Sequence, residues 1–539
     1  MAFLLCQTGT TLNKVDVATG AVTALTLPTG VTLSSAKRPH FAILGQWVVM
    51  VNSPSVNLAI DPEGTVRVLV PRPPTAAPSV VAGSGTGLTG AYLWWESFVV
   101  TNGEGATLME SPLSPSSRSL TLANTDASLS DIEKSLDSVS LRRIYRSLAG
   151  GTDPYHLTDV DGNSGTTFLD AIADATLELL PLDQGALVAP PGTVPGTRLK
   201  NIVEWKSRLW AIADDPDLID SVFVTETNKI YAWPHELIAY PTGQNKRGLV
   251  GFAVRQNELG LLKPNGLWKI SSSSSGTGIN IDNISIPQIA FDKAGCESPE
   301  TIVSVNDTVF WLGRDGVYLW NNTGVHNISD DTVAPWFKSG TYFNRAQFSN
   351  ATARWNEVLG QYELHLAAAG SSDLDRWVSY NVNTKAWYGP HKTGAITPTA
   401  AAHLLDADGL PMTVVGASDG VVYTGNSSNK RDGAATAIDM DCYGPWHSAD
   451  APDIEHFWGQ LSMLTKVEAA GTLTVTPTVG RLDSSASTAI THTLTTGREL
   501  LRRLGDGALC RLRLRKNTVN QSATIYGYEI APVFENGRR

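Results

Sequence analysis

The chain has 539 residues, room for three to four domains at roughly 150 residues each. Charged residues make up 17% of it, below the quarter usual for a soluble chain, while 48 Gly and 29 Pro suit a loop-rich β protein. Forty-one basic against 52 acidic residues leave a net charge of −11, which excludes a general DNA-coating protein, because phosphate binding needs surplus Lys and Arg.

The first residues, Met1-Ala-Phe-Leu-Leu-Cys6, carry no basic residue before a short apolar patch. They are read as a mature N-terminus without signal peptide or lipidation site, and residues 3–6 are expected to form a first buried strand. No apolar run approaches the ~20 residues that span a bilayer; the longest are stretches such as Trp47–Val51. The four cysteines, Cys6, Cys296, Cys442 and Cys510, lie far apart and share no metal-type spacing, so free, mostly buried thiols are expected.

A loose repeat then runs along the chain: a short apolar strand, a turn with Gly, another short strand. Val15-Asp-Val-Ala-Thr-Gly-Ala-Val22, Ala59-Ile-Asp-Pro-Glu-Gly-Thr-Val66 and Leu262-Lys-Pro-Asn-Gly-Leu-Trp268 are examples. Phe310-Trp-Leu-Gly-Arg-Asp-Gly-Val-Tyr318 and Val414-Val-Gly-Ala-Ser-Asp-Gly-Val-Val422 are two more, with hairpin turns at Asp315-Gly316 and Asp419-Gly420. Asn or Asp tolerates left-handed backbone and Gly adopts it freely, while β-branched and aromatic flanks suit a pleated surface. Repeated hairpins with almost no helical periodicity predict an all-β fold, and radial repetition of small sheets predicts a β-propeller of six to eight blades. One short helix is expected, near residues 130–138.

The repeat breaks off near Pro71 and resumes near Arg198. Pro-Arg-Pro-Pro-Thr-Ala-Ala-Pro78 is a stiff connector, and Ala189-Pro-Pro-Gly-Thr-Val-Pro-Gly196 a second linker. Between them an inserted β-sandwich is expected. The expected organisation is 1–75 propeller, 76–190 insertion, 191–438 remainder of the propeller and 439–539 a C-terminal β-domain. In the last, Gly471-Thr-Leu-Thr-Val-Thr-Pro-Thr-Val479 and Ala508-Leu-Cys-Arg-Leu-Arg-Leu-Arg515 alternate with the period of a strand.

Catalytic signatures are sparse. Asp159-Val-Asp-Gly-Asn-Ser-Gly-Thr-Thr-Phe-Leu-Asp170 looks like a calcium loop, but Ser164 stands where Gly is required and Asp170 replaces the bidentate Glu, so a polar turn is favoured. No zincin motif, nucleophile elbow or P-loop occurs, and His447 and His456 fit no zinc spacing. The Asp-Gly pairs lack the spacing of sialidase Asp boxes. No catalytic residue, metal ligand or cofactor is therefore assigned.

The sharpest charge feature is the run Arg498, Arg502, Arg503, Arg511, Arg513, Arg515 and Lys516, against Glu499 and Asp506 only. It reads as a solvated strand face, as an interface meeting an acidic neighbouring subunit, or as a phosphate contact.

The insertion carries Ala91-Tyr-Leu-Trp-Trp-Glu-Ser-Phe-Val-Val100, Glu110-Ser-Pro-Leu-Ser-Pro115, Leu141-Arg-Arg-Ile-Tyr-Arg146 and Thr166-Thr-Phe-Leu-Asp170. These resemble the fibronectin type III-like modules within phage tail proteins. With Arg208-Leu-Trp-Ala-Ile-Ala213 after the insertion and Ile525-Tyr-Gly-Tyr-Glu-Ile530 near the end, the whole order of parts resembles the tail nozzle or tail-hub proteins of short-tailed bacteriophages. The resemblance implies a structural virion protein in the viral tail, assembled in the host cytoplasm, and no enzyme. It implies a homohexameric ring below the portal and adaptor, contacting tail fibres or spikes. DNA would transit the channel during ejection without sequence-specific binding. The competing reading is a carbohydrate-binding or glycan-cleaving propeller, which requires carboxylates and aromatics converging on the ring axis.

Overall fold

A computed structural model describes residues 3–102, 104–177, 180–182, 199–234, 238–239, 248–271, 286–291, 294–330, 332–394, 396–406, 408–424, 431–432, 436–437, 440–448, 456–466, 471–480, 489–494, 498–516 and 525–533. The fold is all-β: a propeller of small sheets, interrupted by an inserted β-sandwich, and a C-terminal β-sandwich. Two compact units divide the chain: Met1–Ser372 with Ser379–Trp387 and Leu405–Pro411, and Asp373–Val378 with Tyr388–Leu404 and Met412–Arg539.

Six antiparallel meanders follow one another from the first unit onward. The first is Phe3–Thr8, Thr11–Asp16 and Val22–Ala24, its opening strand half-buried rather than buried. The second is His40–Leu44, Trp47–Val51, Leu58–Ile60 and Val66–Val68. The insertion follows it. The third is Leu199–Trp205, Arg208–Ala213, Val222–Val224 and Ile238–Ala239. The fourth is Gly251–Val254, Glu258–Lys263, Gly266–Ser271 and Gln288–Phe291. The fifth is Val303–Val305, Thr308–Leu312, Val317–Asn321 and Gly324–Asn327. The sixth is Thr352–Asn356, Gln361–Leu366, Arg376–Asn381 and Ala386–Lys392.

Their strands are rich in Val, Ile, Leu and aromatics, and two of the tight turns are made without glycine. Lys206 and Ser207 take φ of 54° and 56°, and Asn306 and Asp307 45° and 61°. A two-residue hairpin needs both central residues left-handed to match strand twist. The Lys-Ser turn therefore holds a conformation its residue types disfavour, stabilised by the pairing of Trp205 with Arg208 on either side.

The sheets stack face to face in chain order, as propeller blades do. Leu12 of the first packs with Met50 and Leu58 of the second. Val49 and Val51 share a core with Leu199, Leu209 and Ala211 of the third. Trp210 and Val222 meet Leu259 and Trp268 of the fourth, and Leu262 and Leu267 meet Val309 and Trp311 of the fifth. Phe310 stacks on Tyr362 of the sixth with ring centroids 5.2 Å apart, and the Tyr362 hydroxyl donates to Thr301 O.

The insertion is a sandwich. One sheet runs Thr107–Glu110, Trp94–Thr101, Leu141–Arg146, Tyr155–Asp161. Opposite lie the pair formed by Leu120–Thr125 with Leu88–Tyr92 and the triplet formed by Phe168–Asp170, Ala127–Ser130 and Ser79–Ala82. Trp94, Leu122, Leu129 and Ile144 fill the space between. It docks on the propeller: Val100 and Met109 enter the same core as Leu69, Val70 and Leu199. Arg72 adds an ion pair, Nη2 to Asp137 Oδ1 at 2.5 Å, with its backbone N donating to Asp137 Oδ2 at 2.8 Å.

The helix expected near residues 130–138 is absent. Its N–H groups are taken elsewhere: Ile132 N by Thr166 O, Glu133 N by the Glu96 carboxylate, Ser135 N by Asn163 Oδ1 and Asp137 N by Ser135 Oγ. With those donors spent no i→i−4 ladder forms. A five-residue helix lies instead at Ala334–Lys338.

The second unit carries most of the sheet Pro398–Leu405, Pro411–Ala417 and Val422–Thr424. Its C-terminal sandwich pairs Met440–Tyr443, Leu509–Lys516, Thr472–Gly480 and Ile490–Thr493 in one sheet, and Arg498–Gly507, His456–Thr465 and Ile525–Val533 in the other. Leu473, Val475, Leu512 and Leu514 meet Trp458, Leu461 and Met463 in its core. All four cysteines are free; Cys296 and Cys510 are buried, whereas Cys442 is exposed, contrary to expectation for that residue.

Candidate functional site

In the second to sixth sheets the first strand is the inner one. Leu199–Trp205 packs on His40–Leu44 and on Gly251–Val254, which packs on Val303–Val305, which packs on Thr352–Asn356. The segments entering these strands therefore meet at one end of the stack. Arg38 and His40 come from the second sheet, Lys200 and Asn201 from the third, Glu300 from the turn Pro299–Thr301 before the fifth, and Asn350 from the turn Arg345–Asn350 before the sixth.

Arg38 Nη2 donates to Asn350 O at 2.7 Å, joining the second and sixth sheets. Its Nη1 is buried without a hydrogen-bond partner among the described residues. His40 Nδ1 lies 3.3 Å from Asn201 Nδ2 and its Nε2 lies 3.4 Å from Glu300 Oε1. An amide nitrogen only donates, so Nδ1 accepts and the ring proton sits on Nε2, facing the carboxylate. Lys200 Nζ reaches Leu249 O at 3.4 Å, and Lys37 pairs with Asp214. Burial pushes the Arg38 guanidinium and the Lys200 ammonium below their ordinary pKa values, against the opposing pull of Glu300 and Asp214. Among the described residues, Lys37 and Lys200 thus face Asp214, and Arg38 faces Glu300.

The sequence-selected arginines divide by register. On Leu509–Lys516, burial alternates strictly, with Cys510, Leu512 and Leu514 inward. Arg511 lies 4.6 Å from the Trp446 ring and 5.1 Å from that of Tyr443. Arg513 pairs with Asp441, its Nε donating to Oδ1 at 2.8 Å, and Arg515 is exposed. Thr474, Thr476 and Thr478 stand opposite Arg515, Arg513 and Arg511 across the neighbouring strand. Lys516 does not belong to this face. Period two turns it inward, where it is 6% exposed and donates to Thr472 O at 3.2 Å. Arg498 and Arg502 pair with Leu464 and Gln460 in the other sheet, beside Arg503; the side chains of these three lie outside the described residues. The linker at 189–196 also lies outside them. Residues 439–539 hold as many acidic as basic side chains, so the net −11 belongs to residues 1–438.

The insertion motifs converge. Arg146 Nη1 contacts both Asp170 oxygens, at 2.9 and 2.8 Å, and Trp94 Nε1 donates to Asp170 Oδ2 at 3.0 Å. Glu110 accepts from Ser97 at 2.7 Å, Tyr145 at 2.6 Å and Arg143 at 2.9 Å. Ser111, Ser114 and Ser117 lie along the edge of Trp94–Thr101. Their hydroxyls accept from Phe98 N, Glu96 N and Trp94 N, and their own N–H groups donate to the same three residues' carbonyls. The Ser-Pro segment therefore closes an edge strand that would otherwise invite pairing. Asp159 bonds Arg143 and His156; burial alone would raise its pKa, but these partners outweigh it and bring it to about 2. The calcium-like loop spends its terminal carboxylates, Asp159 and Asp170, on arginines.

No family model and no curated protein matches the sequence. Among solved structures, the extracellular domain of a one-component system from B. thetaiotaomicron aligns over 93% of this chain and 75% of its own, at 12% identity and a TM-score of 0.30. The exo-beta-1,3-galactanase of Phanerochaete chrysosporium aligns over 81% of this chain and 100% of its own, at 9% identity and a TM-score of 0.21. A protein from Bacteroides uniformis assigned as a 6-phosphogluconolactonase aligns over 62% and 95%, at 9% identity and a TM-score of 0.27. Similarity this low carries no argument about what the chain does.

At the hairpin turns, Asp315 Oδ1 accepts from the Tyr318 hydroxyl at 2.7 Å and Asp419 Oδ2 from that of Tyr423 at 2.6 Å. Gly420 takes a φ of 81°. Gly316 serves space instead, since a Cβ there would meet Ser329 Oγ at 2.1 Å. Sequence reasoning missed the axial cluster, and also a cleft of about 480 Å³ between the fourth and fifth sheets. Arg255 underlies that cleft. Its Nε donates to Asp307 O at 3.0 Å, its Nη1 to Glu258 at 2.5 Å and its Nη2 to Asp307 Oδ2 at 2.7 Å, with the Trp320 ring 4.8 Å away. The guanidinium is saturated, so it rivets blades together. No group of three or more His, Cys, Asp or Glu among the described residues is placed to hold a metal, and no described helix is long and apolar enough to cross a membrane.

Proposed function

We propose that this chain is a structural protein of a short-tailed phage tail, a subunit of the distal tube or nozzle ring that serves as conduit and gate for DNA during ejection, and that it catalyses no reaction. The observation that carries the reading is the fate of the tail-module motifs. Trp94, Glu110, Arg143, Tyr145, Arg146 and Asp170 form two bonded networks inside a sandwich placed between the second and third propeller sheets. Chemistry-bearing residue types are there consumed in rigidity.

Charge supports the same reading. An acidic body repels DNA and lets it slide, while the C-terminal face bearing Arg511, Arg513 and Arg515 meets copies of the chain in a homohexamer. The adaptor, portal-proximal proteins and fibres or spikes are the further partners, and the virion tail is the location. The alternative, a glycan-cleaving propeller, calls for two carboxylates flanking a scissile bond. At the axial end Asp214 is in contact with Lys37 and Glu300 with His40.

Native mass and electron microscopy of the purified protein test the proposal. A closed ring of identical subunits is expected, placed at the distal end of the tail in assembled particles. A stable monomer that hydrolyses or retains glycans overturns it.

A further inference from the structure

We infer that Lys263 and Asp220 become joined by an isopeptide bond, a side-chain amide that the folded chain forms by itself. The inference is independent of the tail reading. Lys263 ends the strand Glu258–Lys263 of the fourth sheet, and Asp220 stands just ahead of Val222–Val224 of the third. Lys263 Nζ lies 2.7 Å from Asp220 Oδ1, with the lysine side chain 0% and the aspartate side chain 10% exposed. Despite that contact, neither atom has a hydrogen bond among the described residues. The two atoms therefore touch outside the hydrogen-bonding directions. Arg146 and Asp170, as deeply buried, answer each other through several hydrogen bonds. The Lys263–Asp220 charges have none, and the Trp268 ring, 4.9 Å from Nζ, repays only part of their lost hydration.

Condensation removes that conflict. Transfer of one Nζ proton to the carboxylate leaves an amine and a carboxylic acid, and takes both charges out of the interior. The Nζ lone pair then adds to Cγ, one bond beyond Oδ1, and a second Nζ proton passes to the departing hydroxyl. The Nζ–Cγ bond forms, a Cγ–O bond breaks and one water leaves, so no oxidant, reductant or activated ester takes part. A lysine stripped of water is the better nucleophile, and a partner already in place removes the entropy of encounter. The backbone fixes both residues. Around Asp220, Ser221 N donates to Leu218 O and Leu249 N to Ile219 O, and Cys296 N donates to Lys263 O. The bond staples the third sheet to the fourth and closes a loop over residues 220–263 that the unfolded chain can no longer open.

The test takes the full-length protein, denatures it, weighs it by intact mass spectrometry and maps it with trypsin. The parent is expected to be lighter than its sequence by the mass of one water, and Lys263→Met and Asp220→Ala to keep their full sequence masses. Trypsin cuts after Arg208, Lys229, Arg255 and Lys269 but not between Lys263 and Pro264, so the parent is expected to release residues 209–229 and 256–269 as one branched peptide. Fragmentation of that peptide places the link at Lys263 and Asp220. If the parent has its full sequence mass, or the two peptides separate, the contact is an ion pair only and the inference is wrong. A missing water that persists in both variants also overturns it, because the loss then lies elsewhere in the chain. Neither variant has to fold for this reading, since the branched peptide is sought in the parent.

Discussion

Arg146 and Asp170 form an ion pair in which both side chains are 0% exposed. It closes the inserted sandwich from within: Arg146 sits on Leu141–Arg146 of one sheet and Asp170 on Phe168–Asp170 opposite. Trp94 Nε1 and Ile172 N add donors to the carboxylate, and the guanidinium also reaches Ile172 O and Asp174. Removing Arg146 leaves Asp170 charged, buried and unmatched, and removing Asp170 leaves the buried Arg146 only the partly exposed Asp174, a cost of about 3–5 kcal/mol. Asp170→Asn and Arg146→Met are each expected to destabilise the insertion by that order. Urea unfolding, followed by Trp fluorescence, measures it. The double replacement by apolar residues is expected to recover part of the loss, because no lone charge then remains.

Arg72 and Asp137 fix the insertion to the propeller. The pair is largely buried and is reinforced by a backbone donor, so it is worth more than an exposed salt bridge. Arg72→Ala is expected to cost about 1–3 kcal/mol, since the Asp137 carboxylate loses its counter-charge. The apolar contacts of Val100 and Met109 remain. Hydrogen exchange should therefore rise locally in residues 72–76 and 131–140, with the sandwich core still protected. Global loss of protection instead would show that docking and folding of the insertion are one step.

Period-two alternation made the C-terminal strand legible, because Cys510, Leu512 and Leu514 must face one way and Arg511, Arg513 and Arg515 the other. Counting charge without period placed Lys516 among them; the same alternation, applied one residue further, puts it in the core. The insertion was legible through its motifs, although only the structure showed that Arg146 and Asp170 are each other's partners. The axial cluster was not legible. Arg38, Asn201, Glu300 and Asn350 lie far apart in sequence, and only face-to-face stacking of sheets brings their strand entries together. A faint signal existed in polar residues just before first strands, as in Lys37-Arg38-Pro-His40 ahead of Phe41. The misplaced helix at 130–138 has the complementary cause. The Glu96 and Asn163 side chains and the Thr166 carbonyl, all distant in sequence, capture three of its N–H groups, and no local propensity records that.

Arg255 holds the fourth and fifth sheets through donors that a lysine cannot duplicate. Its planar fork reaches Glu258, Asp307 and Asn322 together while lying over Trp320. Arg255→Ala is expected to lower stability by about 1–3 kcal/mol, by removing the buried guanidinium that joins the partly exposed Glu258 and Asp307. Arg255→Lys should restore less than half of this, because one ammonium satisfies one carboxylate and forfeits the other. Paired thermal melts of the two variants check the ordering. Equal stability of the two would mean that charge alone, without the fork, secures the blades.

Glu96 gives the insertion a pH dependence with a definite sign. It is buried, and burial pushes its pKa up to about 7; the bond from Glu133 N and the charge of Arg142 work against that rise, while the Glu133 carboxylate adds to it. The unfolded chain has an ordinary Glu pKa near 4.3. Between these values the native state binds the extra proton, so stability falls as pH rises. The contribution is fully present below the unfolded pKa and is lost through about pH 7, above which the curve flattens. The loss is on the order of 3–4 kcal/mol. Glu96→Gln keeps an acceptor for Glu133 N and removes the ionisation. It is expected to stabilise the protein at pH 8, to change little at pH 4, and to abolish this part of the slope between them. Urea midpoints taken at pH 4, 6 and 8 for parent and variant decide it. Parallel curves for the two proteins would mean that Glu96 is ionised throughout and that Arg142 compensates its charge in full.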